Sequence, residues 1–77
     1  MPPSGVPLPG LRGARTRRLL TQAALAAKSG VGRNTIARIE TGDPAAFSTA
    51  QKLAAALEVA PEALMEDRER PQMAAAA

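Results

Sequence analysis

The stretch Thr21–Gly42, TQAALAAKSGVGRNTIARIETG, decides how the rest of the chain is read. Thr21 stands where an N-cap belongs, its hydroxyl able to accept from a backbone N–H two or three residues on, and Gln22 to Lys28 are strong helix formers. Ser29 and Gly30 stop that helix, with Gly30 the natural left-handed C-terminal residue. About three residues later a further helix runs from near Arg33 to Glu40, closed by Thr41 and Gly42, with Gly42 again left-handed. Ile36 and Ile39 mark its buried side.

Two short helices joined by a three-to-four-residue turn with glycine form a helix-turn-helix. Side-chain sizes suit the tight crossing. Ala26 is small where the helices come closest, Gly30 makes the turn, Val31 plugs the angle, and Ile36 and Ile39 pack back on Leu25 and Ala26. The outer face of the second helix then carries Arg33, Asn34, Thr35 and Arg38, all polar and long or forked enough to reach DNA.

Outward from this motif the pattern stays helical. A first helix is expected from about Pro9 to Arg18, with Pro9 in its first turn and Leu8, Leu11 and Ala14 inside. Gly10 and Gly13 weaken it by roughly 1 kcal/mol each relative to alanine. Arg12, Arg17 and Arg18 fall mostly outside. Asp43 to Phe47 read as a loop. Ser48 followed by Gln51 gives a capping-box signal for a fourth helix to Leu57, with Ala50, Leu53, Ala54 and Leu57 on one face. Pro61 opens a last short helix carrying Leu64 and ending near Glu66. Residues 1–7, rich in proline and glycine, are expected to be a disordered N-terminal arm. Residues 67–77, DRERPQMAAAA, are expected to be a disordered C-terminal tail. Between them lies one domain, residues 8–66, with its motif at 22–41.

Composition bounds the chemistry. The 77 residues include no Cys, His, Trp or Tyr and one Phe. A chain this short buries only about 60% of the surface its unfolded form exposes, so dense helix packing must serve in place of a large core. Without imidazole, thiol or phenol there is no soft metal site and no ordinary general base beyond a carboxylate or a perturbed lysine, which argues against an enzyme. No catalytic residue, cofactor site or metal site is expected, nor a small-molecule substrate. Glu58, Glu62 and Glu66 recur at four-residue spacing, but a hard cation needs ligands converging from several elements. No apolar run approaches a membrane span, and the start lacks a signal-peptide pattern. The expected location is the cytoplasm.

Charge is unevenly spread. Residues 1–40 hold seven Arg or Lys and the single acid Glu40, giving +6, whereas residues 41–77 give −3. A basic, arginine-rich half is what a phosphate backbone attracts, although a solvated helix face carries similar charge.

The run from about Leu11 to Leu64 resembles the Cro/cI-type (XRE-like) helix-turn-helix family of phage and bacterial repressors. Three stretches carry the likeness, in order and at compatible spacing: LTQAALAAKSGV, IARIETG and KLAAALEVAPEAL. The resemblance implies an all-α, lambda-repressor-like bundle of about five short helices that binds double-stranded DNA and regulates transcription, most plausibly as a repressor, with a recognition helix over about 33–40 and a homodimer on a near-palindromic site. It implies a phosphate contact or a bracing role for Gln22, and base contacts for Arg33 and Asn34. Arginine can pair bidentately with guanine, and asparagine with adenine. Arg38, one turn on, serves a base or a phosphate; Thr35 is a candidate phosphate contact. It further implies that Arg15 pairs with Glu40 as an architectural tie between the first helix and the end of the recognition helix. Three positions depart from the family pattern. Gly32 replaces the usual Ser or Thr cap, Leu19 stands where glycine is common, and the loop from Asp43 to Ala46 has no basic residue. These departures leave a protein-interaction module on the same fold, an antitoxin or adaptor, as the rival reading.

Overall fold

The computed structural model describes residues 5–66. Five helices follow one another: α1 (Leu11–Arg17), α2 (Gln22–Ser29), α3 (Arg33–Glu40), α4 (Phe47–Leu57) and α5 (Pro61–Leu64). Among the described residues there is no strand, only a single antiparallel bridge between Val6 and Ala45. The all-α bundle read from the sequence is the observed architecture. Its core is built from small and branched aliphatics. Leu11, Leu25, Ile36, Leu53, Leu57 and Leu64 are fully buried, with alanines at 14, 45, 50, 54 and 56 filling the gaps. Alanine at these positions lets short helices approach closely where aromatic side chains would hold them apart. α2 packs against both α3 and α4, α1 against α3, and α5 closes onto α4.

Local chemistry explains the punctuation. The Thr21 hydroxyl accepts from the Ala24 N–H at 3.0 Å, and Gly30, at φ 79°, ends α2. The turn is tied again where the Val31 N–H donates to the Ser29 hydroxyl at 3.1 Å. Gly42 takes φ 120° after α3. Pro61 occupies the first turn of α5, where its missing N–H costs nothing.

Four expectations need correction. Helix α1 begins at Leu11, two residues later than expected, because Pro9 and Gly10 are drawn into a turn: the Leu11 N–H donates to the Leu8 carbonyl at 3.1 Å and the Gly10 N–H to the Leu64 carbonyl at 2.8 Å. Gly10 therefore serves contact rather than weakening a helix. A Cβ there would run into the Glu66 carbonyl oxygen and lie 2.9 Å from that of Ala63. Second, the arm expected over residues 1–7 is tied down at its inner end, where Val6 and Ala45 exchange N–H···O bonds of 2.8 Å each. Third, Phe47 belongs to α4 and not to the preceding loop. Fourth, Ser48 caps nothing: the N-cap is Ala46, without a side-chain bond, so the Ser48–Gln51 signal falls inside the helix. Residues 1–4 of the expected arm and the expected tail at 67–77 lie outside the described residues.

Among the described residues two non-glycines are left-handed, Leu19 at φ 59° and Glu58 at φ 58°. Leu19 occupies the position where the family usually has glycine, and the backbone takes a glycine-like conformation there regardless. Its side chain is 92% exposed.

Candidate nucleic-acid interface

α3 is divided lengthwise. Ile36 and Ile39 are buried, whereas Arg33, Asn34, Thr35 and Arg38 are exposed. Asn34 and Arg38, four residues apart, lie one above the other at the middle of the outer face, with Arg33 and Thr35 flanking them. Among the described residues the side chains of Arg33 and Asn34 make no hydrogen bond or ion pair, so their donors are available to a ligand. No side chain caps α3 at Gly32, so its first-turn N–H groups lack a capping side chain.

The base of this face is fixed by a polar cluster at the opposite end of α3. Arg15 Nε donates to Glu40 Oε2 at 2.6 Å and Nη2 to Oε1 at 3.1 Å, the two-pronged geometry in which guanidinium and carboxylate fit best. Arg15 Nη1 donates to the Leu20 carbonyl at 2.7 Å, and Gln22 Nε2 donates to Glu40 Oε1 at 3.0 Å. Three segments, α1, the α1–α2 turn and α2, are thereby fastened to the last residue of α3. Gln22 was singled out for a phosphate or for bracing, and in this structure its amide braces. Among the described residues no buried side-chain polar atom lacks a partner.

Arg38 is placed differently from Arg33. Its Nε lies 3.5 Å from Asp43 Oδ2, both side chains being exposed. No role for Asp43 is legible in the sequence, where it is only part of a loop without basic residues; an acid five positions after an exposed α3 arginine, across a glycine that turns the chain back, is the one signal of the pair. Of the other arginines, Arg18 lies 3.8 Å from Glu58 in an exposed pair. Among the described residues no group of His, Cys, Asp or Glu is arranged to hold a metal ion, so Glu58, Glu62 and Glu66 do not converge. No described helix is long and apolar enough to cross a membrane.

Large apolar side chains are exposed at Phe47 and Met65, which with Val6, Ala50 and Pro61 border a groove of about 320 Å³ rimmed by Gln51 and Glu62.

Comparison with solved structures finds the same arrangement elsewhere. The restriction-modification controller protein C.AhdI from Aeromonas hydrophila is 36% identical, over 70% of this chain and 83% of its own, with a TM-score of 0.67. A hypothetical transcription factor, NHTF, from Neisseria is 26% identical over 90% of this chain and 89% of its own, with a TM-score of 0.69. No curated protein matches the chain. The helix-turn-helix family matches residues 11–64, from the first residue of α1 to the last of α5. With its five helices, its glycine turn and its polar outer face on α3, this chain belongs to the helix-turn-helix family of DNA-binding transcription regulators.

Proposed function

We propose that the protein reads a specific double-stranded DNA site by laying α3, residues 33–40, in the major groove, and that it acts as a repressor by occluding polymerase. The observation that carries this is the outer face of α3: Arg33 and Asn34 are exposed and, among the described residues, have no side-chain partner, on a helix whose other face is locked into the core. Arg33 presents paired donors suited to guanine O6 and N7, and Asn34 a donor and an acceptor suited to adenine N6 and N7. Arg38 adds a third contact. Thr35 and the uncapped N–H groups of the first turn face a phosphate. Gln22 keeps one amide proton on Glu40 and has a second for the backbone. Base contacts give specificity, and phosphate contacts give register and most of the salt-dependent affinity.

A homodimer on a near-palindromic site is part of the proposal, with half-sites about 34 Å apart, one helical turn. In the cell the protein would then act on the nucleoid. The test is selection of bound sites from random duplexes, followed by binding to the selected and a scrambled duplex across a salt series. Tighter binding to the selected duplex, with affinity for both falling as salt rises, supports the reading. No retention on either duplex at low salt would favour a protein-binding module on the same fold.

A further inference from the structure

We propose that Asp43 is a positioning residue for DNA readout: its carboxylate holds Arg38 from the Nε side, leaving the Nη1–Nη2 end to pair with a guanine and keeping that guanidinium off the phosphate backbone. The inference rests on the preceding reading, in which α3 enters the major groove.

Its starting point is the way α3 ends. The Arg38 carbonyl accepts three donors from the turn that follows it: the Thr41 N–H at 3.2 Å, the Thr41 hydroxyl at 2.8 Å and the Asp43 N–H at 3.0 Å. The turn is thus wound around Arg38 itself. Gly42, at φ 120°, supplies a conformation that a side chain would strain, and Pro44 restricts the backbone beyond. This turn brings Asp43 beside Arg38, and its carboxylate oxygen comes to 3.5 Å from Nε as an ion pair without a hydrogen bond.

Stability does not account for the pair. With 76% and 58% of the two side chains exposed, the ion pair adds little to folding. An acid beside a phosphate-binding surface also weakens attraction to every duplex alike. What it does supply is orientation. A guanidinium is a rigid fork of five N–H donors, and guanine needs two parallel ones. With Nε turned to Asp43, the terminal nitrogens present such a pair, and rotamer freedom is reduced before DNA arrives. Thr35, Arg38, Ile39, Asp43 and Pro44 line a shallow hollow of about 240 Å³ on this side, which leaves the fork accessible from outside.

Site selection with the parent protein and with Arg38→Ala identifies the base pair whose preference depends on Arg38. Binding of the parent, Asp43→Asn and Asp43→Ala is then measured on the selected duplex, on the duplex changed at that pair, and on a scrambled duplex, across a salt series. Asp43→Ala should lose up to roughly fivefold in discrimination at that one pair, the most an exposed ion pair contributes, against a full bidentate contact worth about one to two decades. It should bind the scrambled duplex more tightly than the parent does. Asp43→Asn removes the charge from a contact that is an ion pair without a hydrogen bond, so it should lose discrimination as Asp43→Ala does while binding the scrambled duplex more tightly. Both variants should melt like the parent, since the site is exposed. If Asp43→Ala tightens all three duplexes equally and keeps discrimination at every pair, Asp43 merely repels phosphate and the inference falls while α3 remains the reader. If Arg38→Ala selects the same sites as the parent, Arg38 reads no base and the inference falls too. If the parent itself does not distinguish selected from scrambled duplex, the reading beneath the inference fails.

Discussion

Replacing Arg15 by alanine should come close to unfolding the domain. Its side chain is 12% exposed and that of Glu40 is 6% exposed, so the pair sits almost entirely out of water. Arg15→Ala removes two charge-assisted bonds from Glu40 and one from the Leu20 carbonyl, leaving the carboxylate with the Gln22 amide alone. Breaking a buried pair from one side costs about 3–5 kcal/mol, because a desolvated charge is left behind. A domain of this size has in total roughly 3–9 kcal/mol. At about 4–8 °C per kcal/mol, the melting temperature should fall by more than about 12 °C. Thermal unfolding followed by far-ultraviolet circular dichroism measures the shift, and a urea titration gives the free energy. A double variant, Arg15→Met with Glu40→Leu, separates the charge from the packing: with both charges gone it should recover much of the loss. An Arg15→Ala protein within about 0.5 kcal/mol of the parent, or a double variant no better than the sum of its single changes, would refute the reasoning.

Other expectations follow from the backbone. Gly10→Ala should destabilise by about 1–3 kcal/mol, since its Cβ meets the Glu66 and Ala63 carbonyls and neither is a flexible side-chain end; urea midpoints of the two proteins decide it. Leu19→Gly should do the opposite and raise stability by about 0.5–1 kcal/mol, because it relieves a left-handed leucine whose side chain packs on nothing; a lowered melting temperature would show that the exposed side chain matters to the fold. Gly32→Ser should add a few tenths of a kcal/mol by capping α3, as its backbone is ordinary and the nearest atom to a new Cβ is the Thr35 hydroxyl oxygen at 3.8 Å. It should also tighten both specific and scrambled duplexes if that hydroxyl meets a phosphate, which a fluorescence binding assay checks.

Helical spacing and end signals made α2, α3 and the buried side of α4 legible from sequence, because there the local preference and the tertiary packing agree. Thr21, Gly30 and Gly42 each act through their own backbone chemistry. The misreadings share a cause. Gly10 looked like a helix weakener because its purpose is a contact with α5, more than fifty residues away, which no local pattern shows. Val6 is held by Ala45 for the same reason. Ser48 is the right residue type for a cap two positions too late, since the N-cap is Ala46 and the helix already begins at Phe47. At the candidate site, the exposed α3 side chains were legible as soon as Ile36 and Ile39 fixed the inner face. The Arg15–Glu40 tie came only through resemblance, because a twenty-five-residue separation leaves no periodic trace. Asp43 escaped because its partner is chosen by the turn and not by helical spacing.

The central claim is that α3 reads bases while the remaining basic residues act on the backbone. Arg33 and Arg17 test it directly, both exposed and both in the basic half, one on the reading face and the other at the end of α1. Affinities of Arg33→Ala and Arg17→Ala for the selected duplex and a scrambled one, each across a salt series, separate the two roles. Arg33→Ala should cost about 1–3 kcal/mol on the selected duplex, relax preference at one base pair and change scrambled binding much less. Arg17→Ala should at most weaken both duplexes equally and lower the salt slope by about one. If Arg33→Ala instead weakens both duplexes equally, α3 is not the reader.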